Sequence, residues 1–197
     1  MGAYSPAPIL DDAMIARVMD EIILPSLKAL ADAGTPYRGV LFAGLMIGPH
    51  GPKLIEYNAR FGDPECQVLM MRLQSDLARI LYAAATGKLN EAPKAVFDAR
   101  PAVTVVMAAA GYPGTPKSGC PIRNLDAANA LSGVKVFHAG TSMKDGQLVA
   151  SGGRVLNVTA IGDDVAAAVR QAYAAVDLID FKDGFCRRDI AWRALAR

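Results

Sequence analysis

Residues 54–65 read Leu-Ile-Glu-Tyr-Asn-Ala-Arg-Phe-Gly-Asp-Pro-Glu, and the reading of this stretch decides the fold. It has the pattern of a strand end, a tight turn and a helix start. Successive strand side chains alternate between faces, so Glu56, Asn58 and Arg60 are expected on one face, spaced roughly 6–7 Å per step. Ile55, Tyr57, Ala59 and Phe61 are expected on the other, toward a core. A carboxylate, an amide oxygen and a guanidinium in a row are hard oxygen ligands beside a fixed cation, which suits Mg²⁺ and phosphate chemistry. Upstream, Arg38–Asn58 holds two apolar runs joined by Gly-Pro-His-Gly, the signature of a β-hairpin. Downstream, Asp63 suits a helix cap and Pro64 a first helical turn.

Working outward, Pro6 and Pro8 make residues 1–10 an extended loop. A helix capped by Asp11 or Asp12 is expected to run to about Ala33, with a kink or an interruption at Pro25 and a stop at Gly34. After the hairpin a second helix is expected from Pro64 to about Thr86, stopped by Gly87. Residues 88–100 are polar, contain Pro93 and read as a linker. Strands are expected at 102–109, 133–138, 147–150 and 153–160, with a turn at Lys144-Asp145-Gly146-Gln147. A helix over 163–178, capped by Asp163, follows. The fold class is therefore α+β, ending in a small, mostly antiparallel sheet with a covering helix.

Composition bounds the function. The chain has 197 residues, 52% hydrophobic and 20% charged, enough for one large or two small globular domains and unlike a disordered segment. A net charge of +2 gives no electrostatic case for nucleic acid. The basic cluster Arg187, Arg188, Arg193 and Arg197 is expected on a solvated terminal helix. Cys66, Cys120 and Cys186 are too scattered for a zinc site or a disulfide framework and suit a reducing cytoplasm. No apolar run reaches the roughly 20 residues that cross a bilayer, and no export signal is evident. Gly111–Ser118 imitates a phosphate loop, but Pro116 stands where such a loop needs glycine and a free amide, so it reads as a surface turn. His50 and His138 have no ligand or triad partners in sequence and read as structural.

The stretch Glu56–Glu65 resembles the metal-binding end of the ATP-grasp ligases, and more narrowly the phosphoribosylamine–glycine ligase (glycinamide ribonucleotide synthetase) family. Further blocks in family order carry the same resemblance: Met1–Pro8, Tyr37–Ile47, Val105–Gly114, Val134–Thr141, Gly152–Gly162 and Phe185–Ala194. The family's enzymes are about twice this length, and the resemblance covers their C-terminal half. Met1 resembles an internal methionine of a family loop. The resemblance implies residues 1–100 as the C-terminal portion of an ATP-grasp domain and 101–197 as the C-terminal α+β domain of the synthetase. It implies Glu56 and Asn58 as ligands of Mg²⁺ or Mn²⁺, Arg60 as the catalytic cation, and Met46 as the floor for adenine. Gly2, Ala3, Tyr4 and Ser5 are implied as a substrate-binding loop, with disorder at a free terminus the alternative. Asp63 is implied at the substrate, with a purely capping role the alternative.

In the biotin carboxylase-like branch an acidic ligand precedes the glutamate by twelve residues; here that position is Gly44. The implied partners are ATP as co-substrate, glycine and 5-phosphoribosylamine, joined to glycinamide ribonucleotide through a glycyl phosphate. Without the nucleotide lid in these residues, the 197-residue chain is expected to be inactive alone and, with apolar surface exposed, to self-associate. The competing readings are a non-catalytic folded module and another purine-pathway ATP-grasp ligase.

Overall fold

The computed structural model describes residues 1–196. In chain order the elements are β1 (Gly2–Ser5), α1 (Asp12–Val18), a π turn (Met19–Ile23), α2 (Leu24–Asp32), β2 (Phe42–Gly48) and β3 (Gly51–Asn58). Then come α3 (Glu65–Arg72), α4 (Leu77–Ala85), a 3-10 turn (Leu89–Glu91), β4 (Ala102–Ala109), α5 (Leu125–Asn129) and β5 (Val134–His138). The chain ends with β6 (Thr141–Lys144), β7 (Gln147–Ala150), β8 (Arg154–Ile161), α6 (Val165–Leu178), β9 (Gly184–Phe185) and α7 (Trp192–Leu195). They form an α+β fold whose sheets are antiparallel.

Two compact units are interleaved along the chain. The first comprises Met1–Ser5, Asp63–Arg72 and Phe97–Arg197, described to residue 196. The second comprises Pro6–Gly62 and Leu73–Val96.

The first unit is built on a sheet of order β1-β4-β8-β5, with β9 pairing the far end of β4. All eight residues of β4 are buried. A strand buried throughout must be covered on both faces. Val105, Met107, Leu156, Val158 and Ala160 form one face, packed by Ala172, Ala175 and Val176 of α6. The other face presents Thr104, Asn157 and Thr159, with Thr159 Oγ1 donating to Thr104 Oγ1 at 2.7 Å. The remaining element against β4 and β8 is α3, which buries Val68 at 2% exposure.

Three local expectations change here. The opening residues are not a loop: Gly2–Ser5 pairs with Val105–Ala102 as an edge strand. A Cβ on Gly2 would lie 2.4 Å from the Thr104 carbonyl oxygen, so only glycine allows this approach. The last long helix is capped by Asp164, which accepts from the Ala167 amide at 2.6 Å, rather than by Asp163. Arg187 and Arg188 precede α7 in a loop, where they pair with Asp189 and Asp177; Arg197 lies outside the described residues. The hairpin β6–β7 turns at Asp145 and Gly146, both with positive φ (51° and 75°), as a two-residue turn of matching twist requires.

The second unit holds the hairpin β2–β3 and the helices α1, α2 and α4. Asp11 caps α1, accepting from the Met14 amide at 2.8 Å. Pro25 marks an interruption of the α-helical run, which passes through the π turn before resuming. It sits in the first turn of α2, and the π turn ahead of it absorbs the missing amide and the ring's bulk. Gly34, at φ 77°, ends the run, and the Thr35 amide reaches back to Leu30. Tyr57 ties hairpin to helix: its hydroxyl is 2.8 Å from Ser26 Oγ and donates to the Ile22 carbonyl at 3.2 Å. Gly51, at φ 100°, lets the Arg17 guanidinium lie over the hairpin turn.

The helix expected over 64–86 is two helices. The chain leaves helical geometry after Arg72; the Gln74 amide bonds the Val96 carbonyl and the Ser75 hydroxyl accepts from the Val96 amide. Asp76 then caps α4, accepting from the Arg79 amide. This unit has little core. Val18 is its one buried hydrophobic side chain among the described residues, whereas Ile15, Leu24, Ile55 and Tyr82 are 48%, 50%, 63% and 72% exposed.

Leu156 lies at the centre of the first unit's core and is fully buried. Leu156→Ala is expected to cost about 3 kcal/mol, as lost burial plus cavity, read as a lower midpoint in urea unfolding monitored by signals of the first unit.

Candidate functional site

The hairpin carries the first group of site residues. Its register sets Phe42 opposite Asn58, Gly44 opposite Glu56 and Met46 opposite Lys53. Strand alternation holds from Glu56 to Asn58, and Asn58 Nδ2 donates to Glu56 Oε1 at 3.3 Å. It fails one residue earlier. A bulge between Gly44 and Leu45 makes Ile55 the extra residue of β3, so this side chain, expected in the core, is 63% exposed. Gly44 faces Glu56 directly across the ladder, and a Cβ there would meet Glu56 Cγ at 3.2 Å. A side chain at position 44 would therefore crowd Glu56, and glycine leaves that carboxylate unobstructed from the paired strand.

The strand ends at Asn58, and Arg60 follows in a bend, donating from Nη1 to the Phe61 carbonyl at 2.7 Å. Its guanidinium is exposed and shows no carboxylate partner among the described residues. Met46 is 62% exposed. Lys53, which no sequence motif flagged, is brought beside it by the register. The donor set fits a hard divalent ion. Glu56 offers an exposed carboxylate, and turning the Asn58 amide over would put its oxygen where Nδ2 now lies. Among the described residues no three His, Cys, Asp or Glu converge, so protein ligands beyond this pair are not gathered.

Asp63 and Gly2–Ser5 belong to the first unit. Both Asp63 carboxylate oxygens are engaged. Arg154 Nη2 donates to Oδ2 at 2.8 Å, and Gln67 Nε2 donates to Oδ1 at 3.3 Å. Arg154 Nη1 also donates to the Asp63 carbonyl at 3.1 Å. Asp63 is thus anchored to β8 and to α3, and no backbone amide of the first turn of α3 takes its side chain. Cys66 follows on the same helix, and burial together with the Asp63 charge pushes its thiol up, away from the reactive thiolate.

Ser5 closes β1. Its hydroxyl accepts from Arg72 Nη1 at 2.7 Å. The same guanidinium donates to the carbonyls of Asp98 (Nη2, 2.8 Å) and Arg100 (Nε, 3.1 Å) and lies 5.9 Å from the Phe97 ring centroid. Burial lowers the Arg72 pKa, opposed by the Asp98 charge. Arg72, Arg154 and Gln67 were not singled out in the sequence, because their partners lie 26 to 91 residues away except for the local Gln67–Asp63 bond. His50 sits in the loop between β2 and β3. His138 ends β5 with Nδ1 3.0 Å from Thr141 Oγ1. Gly111–Ser118 is a largely exposed turn.

Two family models match the chain: "Phosphoribosylglycinamide synthetase, ATP-grasp (A) domain" over residues 1–66 and "Phosphoribosylglycinamide synthetase, C domain" over residues 102–193. The chain belongs to the phosphoribosylglycinamide synthetase family. It is 59% identical to the phosphoribosylamine–glycine ligase of Mesorhizobium japonicum, over 100% of this chain and 46% of that protein. To the chloroplastic phosphoribosylamine–glycine ligase of Arabidopsis thaliana it is 53% identical, over 99% of this chain and 37% of that one. The chain thus spans about half the length of the curated relatives it matches. The crystal structure of the Thermotoga maritima phosphoribosylamine–glycine ligase superposes with a TM-score of 0.82 at 31% identity, covering 96% of this chain and 46% of that one. A biotin carboxylase from Campylobacter jejuni shares the fold, with a TM-score of 0.65 at 16% identity over 100% of this chain and 42% of its own. No helix among the described residues is long and apolar enough to cross a membrane.

Asp98 carries a measurable signature. The Arg100 side chain, then the Arg100 amide, hold its carboxyl down to about 2 from 3.8. A depressed carboxyl stabilises the folded state above the ordinary carboxylate range, and that stabilisation is lost as pH falls from about 4 through about 2. The Asp98 carboxyl carbon in an NMR titration is expected to move near pH 2, and Arg100→Met to shift that step upward, toward the ordinary range, with the backbone amide bond still holding part of the depression.

Proposed function

We propose that the complete gene product is an ATP-dependent ligase joining glycine to 5-phosphoribosylamine, giving glycinamide ribonucleotide, ADP and phosphate in purine biosynthesis. The single observation that supports this most is the Glu56–Asn58 pair on a hairpin with Gly44 bare opposite it, inside a chain that matches this family over nearly its whole length. In this reading residues 1–100 are the C-terminal portion of the ATP-grasp domain and residues 101–197 the C-terminal domain of the synthetase. The work belongs in the cytoplasm, which agrees with three free cysteines.

The chemistry divides one difficult condensation into two steps. A glycine carboxylate oxygen attacks the γ-phosphorus of ATP, the bond to the bridging oxygen breaks, and ADP leaves with glycyl phosphate formed. The amine of phosphoribosylamine then attacks the acyl carbon, loses a proton, and expels phosphate. Glu56 and Asn58 would hold Mg²⁺ or Mn²⁺, which when bound neutralises phosphate charge. Arg60, always charged and with most of its donors unspent, is the cation for the oxygens that gain charge as the phosphoryl group moves. Met46 offers an exposed apolar surface for the adenine ring. Gly2–Ser5 and Asp63 are assigned to substrate binding, with Asp63 held in place by Arg154.

Purified complete gene product, given ATP, Mg²⁺, glycine and phosphoribosylamine, is expected to release phosphate only when all are present. Glu56→Ala and Asn58→Ala should each abolish that release. Unchanged turnover in both variants would reject the metal assignment, and no glycine-dependent turnover in the parent would reject the ligase. The 197-residue chain by itself is expected to be inactive.

A second reading concerns that chain alone and is favoured by the exposed apolar side chains of the second unit, Ile15, Leu24, Leu30, Ile55 and Tyr82 among them. We infer that it self-associates through this surface. Sedimentation velocity is expected to show a concentration-dependent rise in mass. A monomer across the micromolar range would overturn this.

A further inference from the structure

The chain crosses between its compact units after Ser5, Gly62, Arg72 and Val96. In the first unit, three of those crossings converge on one side chain. The Arg72 guanidinium holds the Ser5 hydroxyl at 2.7 Å and the Asp98 carbonyl at 2.8 Å, and its own backbone carbonyl accepts from the Asp98 amide at 2.6 Å. Nε is shared between the carbonyls of Asp98 and Arg100, at 3.0 and 3.1 Å. Every one of these acceptors is neutral. The nearby carboxylate, that of Asp98, is taken by Arg100 at 2.7 Å. Arg72 therefore carries a charge that no direct partner cancels.

The consequence falls on Ser5. A hydroxyl has one proton and two lone pairs. Ser5 spends a lone pair on Arg72, and no acceptor for its proton is present among the described residues. Its main chain is fixed by pairing with Ala102. The side chain thus presents a proton donor, backed by a half-buried cation and mounted on a paired strand. That arrangement complements an anionic oxygen and disfavours an ammonium group.

We propose that Arg72 is a positioning residue for the ligation, acting through the Ser5 hydroxyl on a carboxylate or phosphate oxygen of a substrate. This rests on the reading of Gly2–Ser5 as a substrate-binding strand. Arg72 itself touches no substrate; it sets the direction of the Ser5 proton and supplies the positive field behind it.

Steady-state kinetics of the complete gene product test this with Ser5→Ala, Ser5→Thr, Arg72→Met and the Arg72→Met/Ser5→Ala double variant. Ser5→Ala and Arg72→Met are each expected to lower kcat/KM roughly 10- to 100-fold, as loss of a charge-assisted hydrogen bond does. Ser5→Thr, which keeps the hydroxyl, stays near the parent. The double variant is no worse than Arg72→Met, because both changes remove one interaction. A rise confined to the KM for glycine assigns the oxygen to its carboxylate; a rise confined to the KM for phosphoribosylamine assigns it to the phosphate. Should Arg72→Met unfold, Arg72→Lys decides. Lysine keeps the charge but cannot hold the hydroxyl and both carbonyls at once, so the same loss is expected. Parent-like kcat/KM in a folded Arg72 variant, or losses that multiply in the double variant, would overturn the inference. An unaffected Ser5→Ala would instead overturn the reading of Gly2–Ser5 on which it rests.

Discussion

The burial of β4 on both faces is the constraint from which the first unit follows. Ala102 through Ala109 are all withdrawn from water, so each face needs its own cover. One cover, α6, comes from the adjoining sequence and lays small residues against the sheet. The other, α3, is only eight residues long and arrives from elsewhere in the chain. The strand edge is met in the same way, by four residues at the start of the sequence. A unit assembled from three separate pieces needs fasteners where the pieces enter and leave. Arg72 and the Arg154–Asp63 pair occupy those places.

The second unit shows the opposite economy. Its hairpin and helices are held by local features: the Asp11 and Asp76 caps, the Tyr57–Ser26 contact and the Arg17–Gly51 contact. Apolar burial is sparse, and much of its hydrophobic surface faces outward. Local hydrogen bonds contribute only about 0.5–1.5 kcal/mol each, so shape here depends on many small terms rather than on a closed core. The residues proposed to bind the ion and the nucleotide project from this lightly buried hairpin.

Legibility in the sequence tracked the range of the interactions involved. The boundaries of β4 and β7 were readable because unbroken β-type runs and an Asp-Gly turn are local signals. The hairpin was readable for the same reason, and so was the shared face of Glu56 and Asn58. Ile55 was misplaced because one bulge residue shifts a period-two pattern without altering its composition. The break at Leu73–Asp76 was hidden by Leu77 and Leu81, which continue the helical spacing of Leu69 and Leu73 across it. β1 left no trace, since its partner strand lies about a hundred residues away. Arg72 and Arg154 look like ordinary solvated charges until the fold brings distant carbonyls and a carboxylate to them.

The pairing of Gly2 with Val105 also bears on how the molecule is made. During synthesis Met1–Ser5 leave the ribosome about a hundred residues before the strand they join. They must wait, unpaired and carrying Tyr4, while the whole second unit emerges and organises. Closing so large a loop is slow compared with forming the hairpin behind it. The strand Gly2–Ser5 is therefore among the last of these elements to find its place, and the Ser5 hydroxyl acquires its orientation only when that late step is complete.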